Sequence, residues 1–350
     1  MSRRDAGLID KNFDIPSTIN RDGMAFYDAE KFDVYGVTLI DGIYRRMRAS
    51  DAAAVNEKIL MISTESAGGR IRFATDSARI ALYAEYESVA RVPNYSLSAT
   101  MGFDLYSDER FVGVFVPPID ATDSYESMLN VPFSDGLVHE YTVNFPICSE
   151  VKRVLIGVNE GSQILSGADY KISTPVVFYG SSVTQGSCAS HPGNSYVNMV
   201  SRALDCNYIN MAFWGNARGE ESMARYIASM EMSAFVYDYD YNAPTPEHLE
   251  ATHERMFRVI REAQPLLPVV IMSAPKPYPS ERDILRERII YRTYENARER
   301  GDGNVYFLSG TGLLESVRNE ALADNIHPGD IGFFKMAEGL IPVLKKILYK

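Results

Sequence analysis

Five residues in the C-terminal half of the chain carry groups that acyl transfer could use. Ser182 follows the apolar run PVVFY within GSSVTQG, Gly215 lies in AFWGN, and Asn242 ends DYDYN. Asp324 and His327 stand three residues apart in DNIHP. Acyl transfer needs a nucleophile, donors for an oxyanion, a base and a group that orients the base. A hydroxyl, a backbone amide, a side-chain amide, an imidazole and a carboxylate supply that set.

Each of these residues also has a simpler explanation. Serine is common in turns, so Ser182 alone is compatible with a tight turn. Asn242 alone is compatible with a helix entrance, and Gly215 with a backbone position of positive φ. The carboxylate of Asp324 favours a catalytic pair with His327, because a carboxylate on Nδ1 fixes the tautomer and stabilises the imidazolium. The occurrence of all these segments together favours the catalytic interpretation.

Buried-type strands and helix-like stretches alternate around these residues. The strands are PVVFY, YINMAF, AFVYDYDY, PVVIMSA and VYFLS, and the helical stretches are 195–204, 220–230, 246–263, 282–300 and 329–348. Such alternation predicts a parallel sheet covered by helices on both faces. In sheets of this kind, functional groups collect beyond the carboxyl ends of the strands. Ser182, Gly215 and Asn242 each follow a predicted strand, and His327 precedes the last helix.

The N-terminal half has a different pattern. RIRFAT, ARIALYAEY, FVGVFV, EYTVNF and RVLIGV alternate apolar and polar residues between turns that contain Gly, Asp, Ser or Pro. Alternation with a period of two and frequent turns predicts an antiparallel β-sandwich. We therefore divide the chain into an N-terminal extension (1–30), a sandwich domain (31–172) and an α/β domain (173–350). The short connection GADYKISTP favours a fixed interface between the two domains over a flexible tether.

The chemical segments resemble those of the GDSL/SGNH hydrolase superfamily, whose landmarks are Ser, Gly, Asn and His in that order. Ser182, Gly215, Asn242 and His327 match the landmarks, and Asp324 fits the Asp-x-x-His pair of the superfamily. The resemblance implies a flavodoxin-like, three-layer α/β/α domain with a five-stranded parallel sheet. The segment MGFDLY is similar to the GxDLY-type, jelly-roll-like sandwich that precedes the catalytic domain in a subgroup of two-domain bacterial GDSL lipases and esterases.

The resemblance also implies a role for each matched residue. Ser182 is expected to be the nucleophile, His327 its base, and Asp324 the residue that orients His327. The backbone amides of Ser182 and Gly215 and the side-chain amide of Asn242 are expected to form the oxyanion hole. Chemistry of this kind requires no metal and no organic cofactor.

The chain departs from the usual pattern of the superfamily at two positions. Gly180-Ser181-Ser182 replaces the usual Gly-Asp-Ser, and Ala212 stands where a glycine is usual. Alignment on Gly180 and Thr184 favours Ser182 as the nucleophile, with Ser181 as the alternative. Neither departure removes a group that the chemistry needs.

The resemblance and these roles imply a serine esterase that removes a short acyl group, with acetyl as the expected group. Similarity to two-domain relatives implies that the ester is on an O-acylated sugar. The expected partner is thus a small-molecule or oligosaccharide ester. The sandwich is expected to help choose this substrate and not to take part in the chemistry. Two alternatives stay open. An O-acyltransferase would use the same residues but pass the acyl group to an acceptor alcohol. A carbohydrate-binding protein would share the fold without the activity.

Several other residues have weaker functional signals. Trp214 adjoins the predicted oxyanion glycine and is either a wall of the substrate pocket or a core residue. His191 lies in the loop after the nucleophile, and of the remaining histidines it is the one that we expect to face a substrate. Asp238 and Asp240 alternate with tyrosines, which indicates hydrogen-bond networks at a strand end instead of a metal site. The stretch GTG at 310–312 lacks the spacing of a dinucleotide-binding loop and predicts a turn.

The composition of the 350-residue chain limits its partners. A formal net charge of -11 opposes binding to nucleic acid or to anionic lipid, because both require positive potential. The sequence has no apolar segment of transmembrane length and no secretory signal at its start. We therefore expect a cytoplasmic protein if Met1 is the natural start, and a secreted one if a leader has been removed. Cys148, Cys188 and Cys206 lack metal-type spacing and predict reduced, mostly buried thiols, with a disulfide between two of them as the alternative. A homo-oligomer is compatible with this composition.

Overall fold

Strand pairing changes from antiparallel to parallel near residue 172 in the computed structural model, which describes residues 6–349. The N-terminal strands are β1 (Met24–Asp28), β2 (Asp33–Tyr35), β3 (Thr38–Ile40), β4 (Ile43–Arg45), β5 (Arg70–Thr75), β6 (Arg79–Ser88), β7 (Phe103–Ser107), β8 (Arg110–Phe115), β9 (Ser124–Asn130), β10 (His139–Asn144), β11 (Glu150–Asn159) and β12 (Ile164–Ser166). The N-terminal helices are α1 (Ala6–Ile9), α2 (Ala49–Val55), α3 (Glu57–Ile62) and α4 (Leu97–Thr100). The C-terminal strands are β13 (Ile172–Gly180), β14 (Cys206–Ala212), β15 (Ala234–Asp238), β16 (Val269–Met272) and β17 (Val305–Leu308). The C-terminal helices are α5 (Ser182–Gln185), α6 (Tyr196–Leu204), α7 (Glu221–Ala228), α8 (Pro246–Ala263), α9 (Glu281–Glu299), α10 (Gly310–Leu314) and α11 (Asp330–Leu348).

Two antiparallel sheets form the N-terminal domain. One has the strand order β1-β11-β6-β9, and the other has the order β12-β5-β10-β7-β8, with β2 also paired to β5. Ile71 and Phe73 in β5 and Ile80 and Leu82 in β6 are fully buried in one common core. The side chains that enter this core come from every second residue of each strand, which confirms the sandwich that the sequence predicts.

The sandwich begins earlier in the chain than residue 31. β1 pairs with β11 in antiparallel fashion along its whole length. The segment before β1 also contacts the sandwich, because Ser17 O accepts the backbone N–H of Glu126 in β9 at 2.9 Å. Part of the segment 1–30, which we expected to be an extension, therefore belongs to the sandwich sheet. A five-residue edge strand offers too few alternating positions to be distinctive in the sequence.

The C-terminal strands form one parallel sheet with the order β14-β13-β15-β16-β17. The helices α6 and α11 cover one face of this sheet, and α7, α8 and α9 cover the other. The helix α8 spans the predicted range, with Thr245 accepting the N–H of His248 at 3.2 Å and Pro246 in the first turn. The five-stranded, doubly covered sheet confirms the predicted α/β/α architecture.

A short helix occupies the stretch 310–312, where the sequence predicts a turn. Ser309 caps this helix, α10, because its Oγ accepts the N–H of Gly312 at 3.3 Å. Gly310 has no room for a side chain, since a Cβ would lie 2.2 Å from Ser273 O. Close packing therefore requires glycine at position 310 despite the low helix propensity of this residue type. The serine cap stabilises the start of the helix.

Two buried arginines of the sandwich join it to the second domain. β14 is an edge strand of the parallel sheet, so the carbonyl groups on its outer side have no neighbouring strand. Arg70 Nη2 donates to Tyr208 O at 3.1 Å. Arg46 Nη1 donates to Asn210 O at 3.4 Å and also to Ala212 O. Guanidinium groups of the sandwich thus satisfy alternate carbonyl groups of β14 and fix the two domains against each other.

The cysteines and the helices can be compared with the expectations drawn from composition. Cys148, Cys188 and Cys206 are buried, as the sequence predicts, and no disulfide joins them within residues 6–349. Within residues 6–349, none of the helices has both the length and the hydropathy that crossing a bilayer requires.

Candidate active site

The two candidate nucleophiles have different environments at the end of β13. Ser181 is fully buried and caps α5, because its Oγ accepts the N–H of Val183 at 3.2 Å. Ser182 is the first residue of α5, and its Oγ lies 2.9 Å from Nε2 of His327. The N–H of Ser182 stands at a helix N-terminus, where the helix provides no acceptor. The hydroxyl in contact with the imidazole is therefore that of Ser182.

A buried carboxylate holds the turn that carries Ser182. Asp238, at the end of the neighbouring strand β15, accepts hydrogen bonds from the hydroxyl groups of Thr184 and Tyr196, the latter at 3.0 Å. Burial raises the pKa of Asp238 to about 7, although these hydrogen bonds oppose the shift. A Cβ at Gly180 would lie 1.9 Å from both Asp238 Oδ1 and Thr184 Oγ1. Close approach therefore requires the glycine of GSSVT, and the network predicted for Asp238 is confirmed.

His327 and Asp324 form a hydrogen-bonded pair before α11. Nδ1 of His327 lies 2.8 Å from Asp324 Oδ2. Asp324 Oδ1 accepts the backbone N–H groups of Ile326 and His327 at 2.6 Å each. Burial alone would raise the pKa of Asp324, but the hydrogen bonds from His327 and Ile326 outweigh it and lower that pKa to about 2. The ionised carboxylate favours the tautomer with the proton on Nδ1, which leaves Nε2 free to accept the Ser182 proton.

Gly215 and Asn242 contact each other. Gly215 has a φ of +70°, in the left-handed region that favours glycine, and its N–H donates to Asn242 Oδ1 at 3.1 Å. Asn242 Nδ2 donates to Phe213 O at 2.9 Å. A backbone amide has one hydrogen, whereas a carboxamide nitrogen has two. Gly215 therefore has no hydrogen left for an oxyanion in this arrangement, which differs from its predicted role as a direct donor, while Asn242 keeps one.

A carboxylate of the sandwich holds Trp214. The tryptophan is 46% exposed, and its Nε1 donates to Glu65 Oε1 at 2.9 Å. Gln185, in the same helix as Ser182, donates to the other oxygen of Glu65 at 2.5 Å. Burial raises the pKa of Glu65 to about 7, although Arg46 and the two hydrogen bonds oppose the shift. Trp214 is thus a surface residue next to Gly215, and of the two predicted alternatives the core position is excluded.

Family comparisons agree with the geometry in both halves of the chain. Residues 173–345 match the model of the GDSL-like lipase/acylhydrolase family. Residues 24–164 match the GxDLY model, which describes the N-terminus of esterases of the SGNH-hydrolase type. The α/β domain, residues 173–345, belongs to the GDSL-like lipase/acylhydrolase family. It is a GDSL/SGNH hydrolase and therefore a carboxylic ester hydrolase.

Several solved structures have the same two-domain fold. A protein described as a GDSL-like lipase from Bacteroides ovatus is 25% identical, with a TM-score of 0.83 over 93% of this chain and 98% of that one. The salicylyl-acyltransferase SsfX3 from a tetracycline biosynthetic pathway is 18% identical, with a TM-score of 0.69 over 91% and 93% of the two chains. An acetyl xylan esterase from the rumen bacterium Butyrivibrio proteoclasticus is 12% identical, with a TM-score of 0.58 over 92% and 98%. A comparison with curated protein sequences gives no significant match.

The aspartate of the GxDLY segment, Asp104, joins the sandwich to the loop that follows α5. Its fully buried carboxylate accepts the N–H of Gly193 at 2.5 Å and lies 2.6 Å from His191 Nδ1. His191 also stacks on Phe111, with the ring centroids 4.7 Å apart. One ring nitrogen and one ring face of His191 are therefore occupied within the domain boundary. His191 thus lies at the boundary between the two domains, and a contact between His191 and a substrate stays a prediction.

Cys188 brings a third potential metal ligand close to the His327–Asp324 pair of this hydrolase. One donor atom from each of the three residues lies within 4.8 Å of the others. Burial, and then the charge of Asp324, raise the pKa of the Cys188 thiol to about 12.

Sequence reasoning missed the sandwich residues that reach the site. Arg46, Glu65 and Asn94 have partners in the α/β domain that lie 166, 120 and 230 residues away in the chain. Contacts over such separations leave no periodic or local signal. The resemblance of MGFDLY to the GxDLY segment is the one indication in the sequence that the sandwich meets the catalytic loop.

Proposed function

We propose that the chain is a serine esterase that hydrolyses short-chain O-acyl esters, with O-acetyl groups on a carbohydrate as the substrate class. A continuous hydrogen-bonded series carries this proposal. It runs from Ser182 Oγ to His327 Nε2 over 2.9 Å and from His327 Nδ1 to Asp324 Oδ2 over 2.8 Å. A series of this kind activates a serine hydroxyl for attack on a carbonyl carbon.

Ser182 attacks the ester carbonyl in the first half of the proposed reaction. His327 Nε2 takes the hydroxyl proton, and Asp324 stabilises the imidazolium that results. The N–H of Ser182 and the second Nδ2 hydrogen of Asn242 hold the negative charge that develops on the carbonyl oxygen. The intermediate collapses when His327 gives its proton to the leaving alcohol, and the acyl group stays on Ser182.

Water attacks the acyl-enzyme in the second half of the reaction. His327 Nε2 removes a proton from the water, and the same two donors hold the second oxyanion. The proton then returns to Ser182 Oγ as the carboxylic acid leaves. In this mechanism Gly215 is a positioning residue, because its N–H fixes the carboxamide of Asn242 through Oδ1.

The indole of Trp214 supports a carbohydrate as the alcohol part of the ester. Its ring is half-exposed beside Gly215, and the hydrogen bond from Nε1 to Glu65 fixes the plane of the ring. A fixed aromatic face provides a surface on which the apolar face of a sugar ring can pack. The acetyl xylan esterase that shares the fold is consistent with this substrate class.

Two substrates and two variants test the substrate class. Trp214→Ala should raise KM for an acetylated xylo-oligosaccharide by about tenfold, the loss expected for one aromatic contact. It should leave kcat/KM for 4-nitrophenyl acetate nearly unchanged. Trp214→Phe keeps an aromatic face without the bond to Glu65, so its effect should be intermediate. Equal effects of Trp214→Ala on both substrates would contradict a role in sugar binding.

Product analysis separates the proposed esterase from the two alternatives. Free acetate in the presence of acceptor sugars is the result expected for an esterase. An acylated acceptor would indicate an acyltransferase, which uses the same Ser182 intermediate. Binding of the oligosaccharide without any ester cleavage would indicate an inactive binding protein.

A further inference from the structure

We propose that Asn94 and Tyr95 of the sandwich position the His327–Asp324 pair, so that the catalytic apparatus is completed across the domain boundary. Both residues lie in the loop 89–96, between β6 and α4. The inference rests on the proposed function, because it assigns these residues a part in the proton transfer from Ser182. It makes the sandwich a component of the chemistry as well as of substrate choice.

Asn94 donates a hydrogen bond from Nδ2 to Asp324 Oδ2. The same oxygen lies 2.8 Å from His327 Nδ1, whereas Oδ1 already accepts two backbone N–H groups. The donors on both oxygens fix the rotation of the carboxylate. Asn94 shares Oδ2 with His327 and with the Cys188 thiol, whose Sγ lies 3.8 Å from this oxygen. An uncharged donor does this without adding charge beside the imidazole.

Tyr95 restrains the imidazole itself. Its ring meets the His327 ring edge-on, with the centroids 5.7 Å apart and the planes at 82°. Tyr95 in turn packs against Ala99, Ile147 and Cys148, a small buried cluster at the edge of the sandwich. The imidazole therefore has a carboxylate on Nδ1, the Ser182 hydroxyl on Nε2 and an aromatic edge beside its ring.

The loop that presents Asn94 and Tyr95 is anchored to the sandwich. Ala90 N–H donates to Ser149 Oγ at 3.2 Å, and Ser96 Oγ accepts the N–H of Ser98 at 3.2 Å to cap α4. The same part of the sandwich holds the helix of the nucleophile, because Gln185 Nε2 donates to Ile147 O at 2.9 Å. Nucleophile and base are thus aligned through one common body, and a small error in either is costly in rate.

Two substitutions of Asn94 and one control in the same loop test the proposal. Asn94→Leu keeps the approximate shape but removes the donor. Asn94→Asp places a carboxyl group against Asp324, and this group can donate only while it holds a proton. Ser96→Ala removes the cap of α4 without touching the His327–Asp324 pair. The measurements are kcat and KM on 4-nitrophenyl acetate from pH 5 to 9, and the ¹H NMR signal of the His327 Nδ1 proton.

Asn94→Leu should lower kcat by about tenfold with little change in KM, since the lost hydrogen bond to a charged group is solvent-exposed. The Nδ1 proton signal should broaden or move upfield. The activity of Asn94→Asp relative to the wild type should fall as pH rises, because two ionised carboxylates repel each other at high pH. Ser96→Ala should leave both the pH profile and the NMR signal in place.

Three results would overturn the proposal. The first is an unchanged kcat and Nδ1 signal in folded Asn94→Leu, and the second is a ratio of Asn94→Asp to wild-type activity that stays constant with pH. The third is a shift of the same size in Ser96→Ala. The NMR signal requires no substrate, so it decides the positioning of the pair even if the wild type cleaves no ester. In that event the proposed function alone fails.

Discussion

Asn242 offers the sharpest test of how the oxyanion is held. Its Oδ1 accepts the Gly215 N–H at 3.1 Å, and one of its two Nδ2 hydrogens goes to Phe213 O at 2.9 Å. Asn242→Ala removes the remaining hydrogen and also releases the N–H of Gly215. Loss of one oxyanion donor lowers kcat by about 100- to 1000-fold. Because the released Gly215 N–H can replace part of the lost donor, we expect a loss of about 100-fold, with KM for a small ester nearly unchanged.

Asn242→Asp separates the role of Asn242 from that of Gly215. The carboxylate still accepts the Gly215 N–H but donates nothing, and it adds a negative charge near the developing oxyanion. Two charges about 5 Å apart repel by about 3 kcal/mol at an effective dielectric constant of about 20, which is roughly another 100-fold in rate. We therefore expect Asn242→Asp to lose about 10⁴-fold in kcat, more than Asn242→Ala.

The assay is steady-state hydrolysis of 4-nitrophenyl acetate by the two variants and the wild type, with circular dichroism to confirm folding. If Gly215 were the essential donor, Asn242→Ala would free its N–H for the oxyanion and leave kcat nearly unchanged. That result would refute the assignment of Gly215 as a positioning residue.

Three further outcomes follow from the structure. Asp324→Asn should lose less kcat on a small ester than His327→Ala, because the imidazole remains a base when its orientation is degraded; equal losses would contradict this. Arg46→Ala should lower the free energy of unfolding in urea by about 3 kcal/mol or more, since it leaves buried carbonyl groups of both domains unpaired. Arg45→Ala is the matched control, because Nε and Nη1 of Arg45 have no hydrogen-bond partner among residues 6–349. If Arg45→Ala lowered the free energy of unfolding as much as Arg46→Ala does, this result would argue against the role of Arg46. Burial raises the pKa of Glu65 from 4.5 to about 7. Between these pH values the folded chain holds a proton that the unfolded chain has lost. The free energy of unfolding should therefore fall as pH rises from 4.5 to about 7. Glu65→Gln should flatten that fall in denaturant titrations, and an unchanged slope would show that Glu65 does not cause it.

The parallel sheet and the order of the chemical residues could be predicted because their signals are local. Buried strands end in small or polar residues, as PVVFY does before Gly180, and α8 begins with a threonine cap and a proline. Parallel strands also bring their carboxyl ends to one edge, and this rule alone predicts that Ser182 and Asn242 lie near each other.

The contribution of the sandwich could not be predicted because it depends on contacts between distant parts of the chain. Glu65 and Asn94 lie in loops whose sequences resemble those of ordinary turns, and their partners are in the other domain. The bond from Gly215 to Asn242 has no sequence signal either, since it depends on a side-chain rotamer and not on residue type. The contact between His191 and Asp104 could not be predicted for a related reason, because proximity to Ser182 in sequence does not reveal a buried partner in the other domain.

Covalent labelling with a fluorophosphonate probe tests the central claim that Ser182 is an activated nucleophile. We predict one adduct per chain by mass spectrometry, located on Ser182 by peptide mapping. Ser181→Ala should still be labelled and Ser182→Ala should not, because Ser181 Oγ is occupied in capping α5 whereas Ser182 Oγ contacts the imidazole. An adduct on Ser181, or a folded wild-type chain that reacts no faster than Ser182→Ala, would contradict the account.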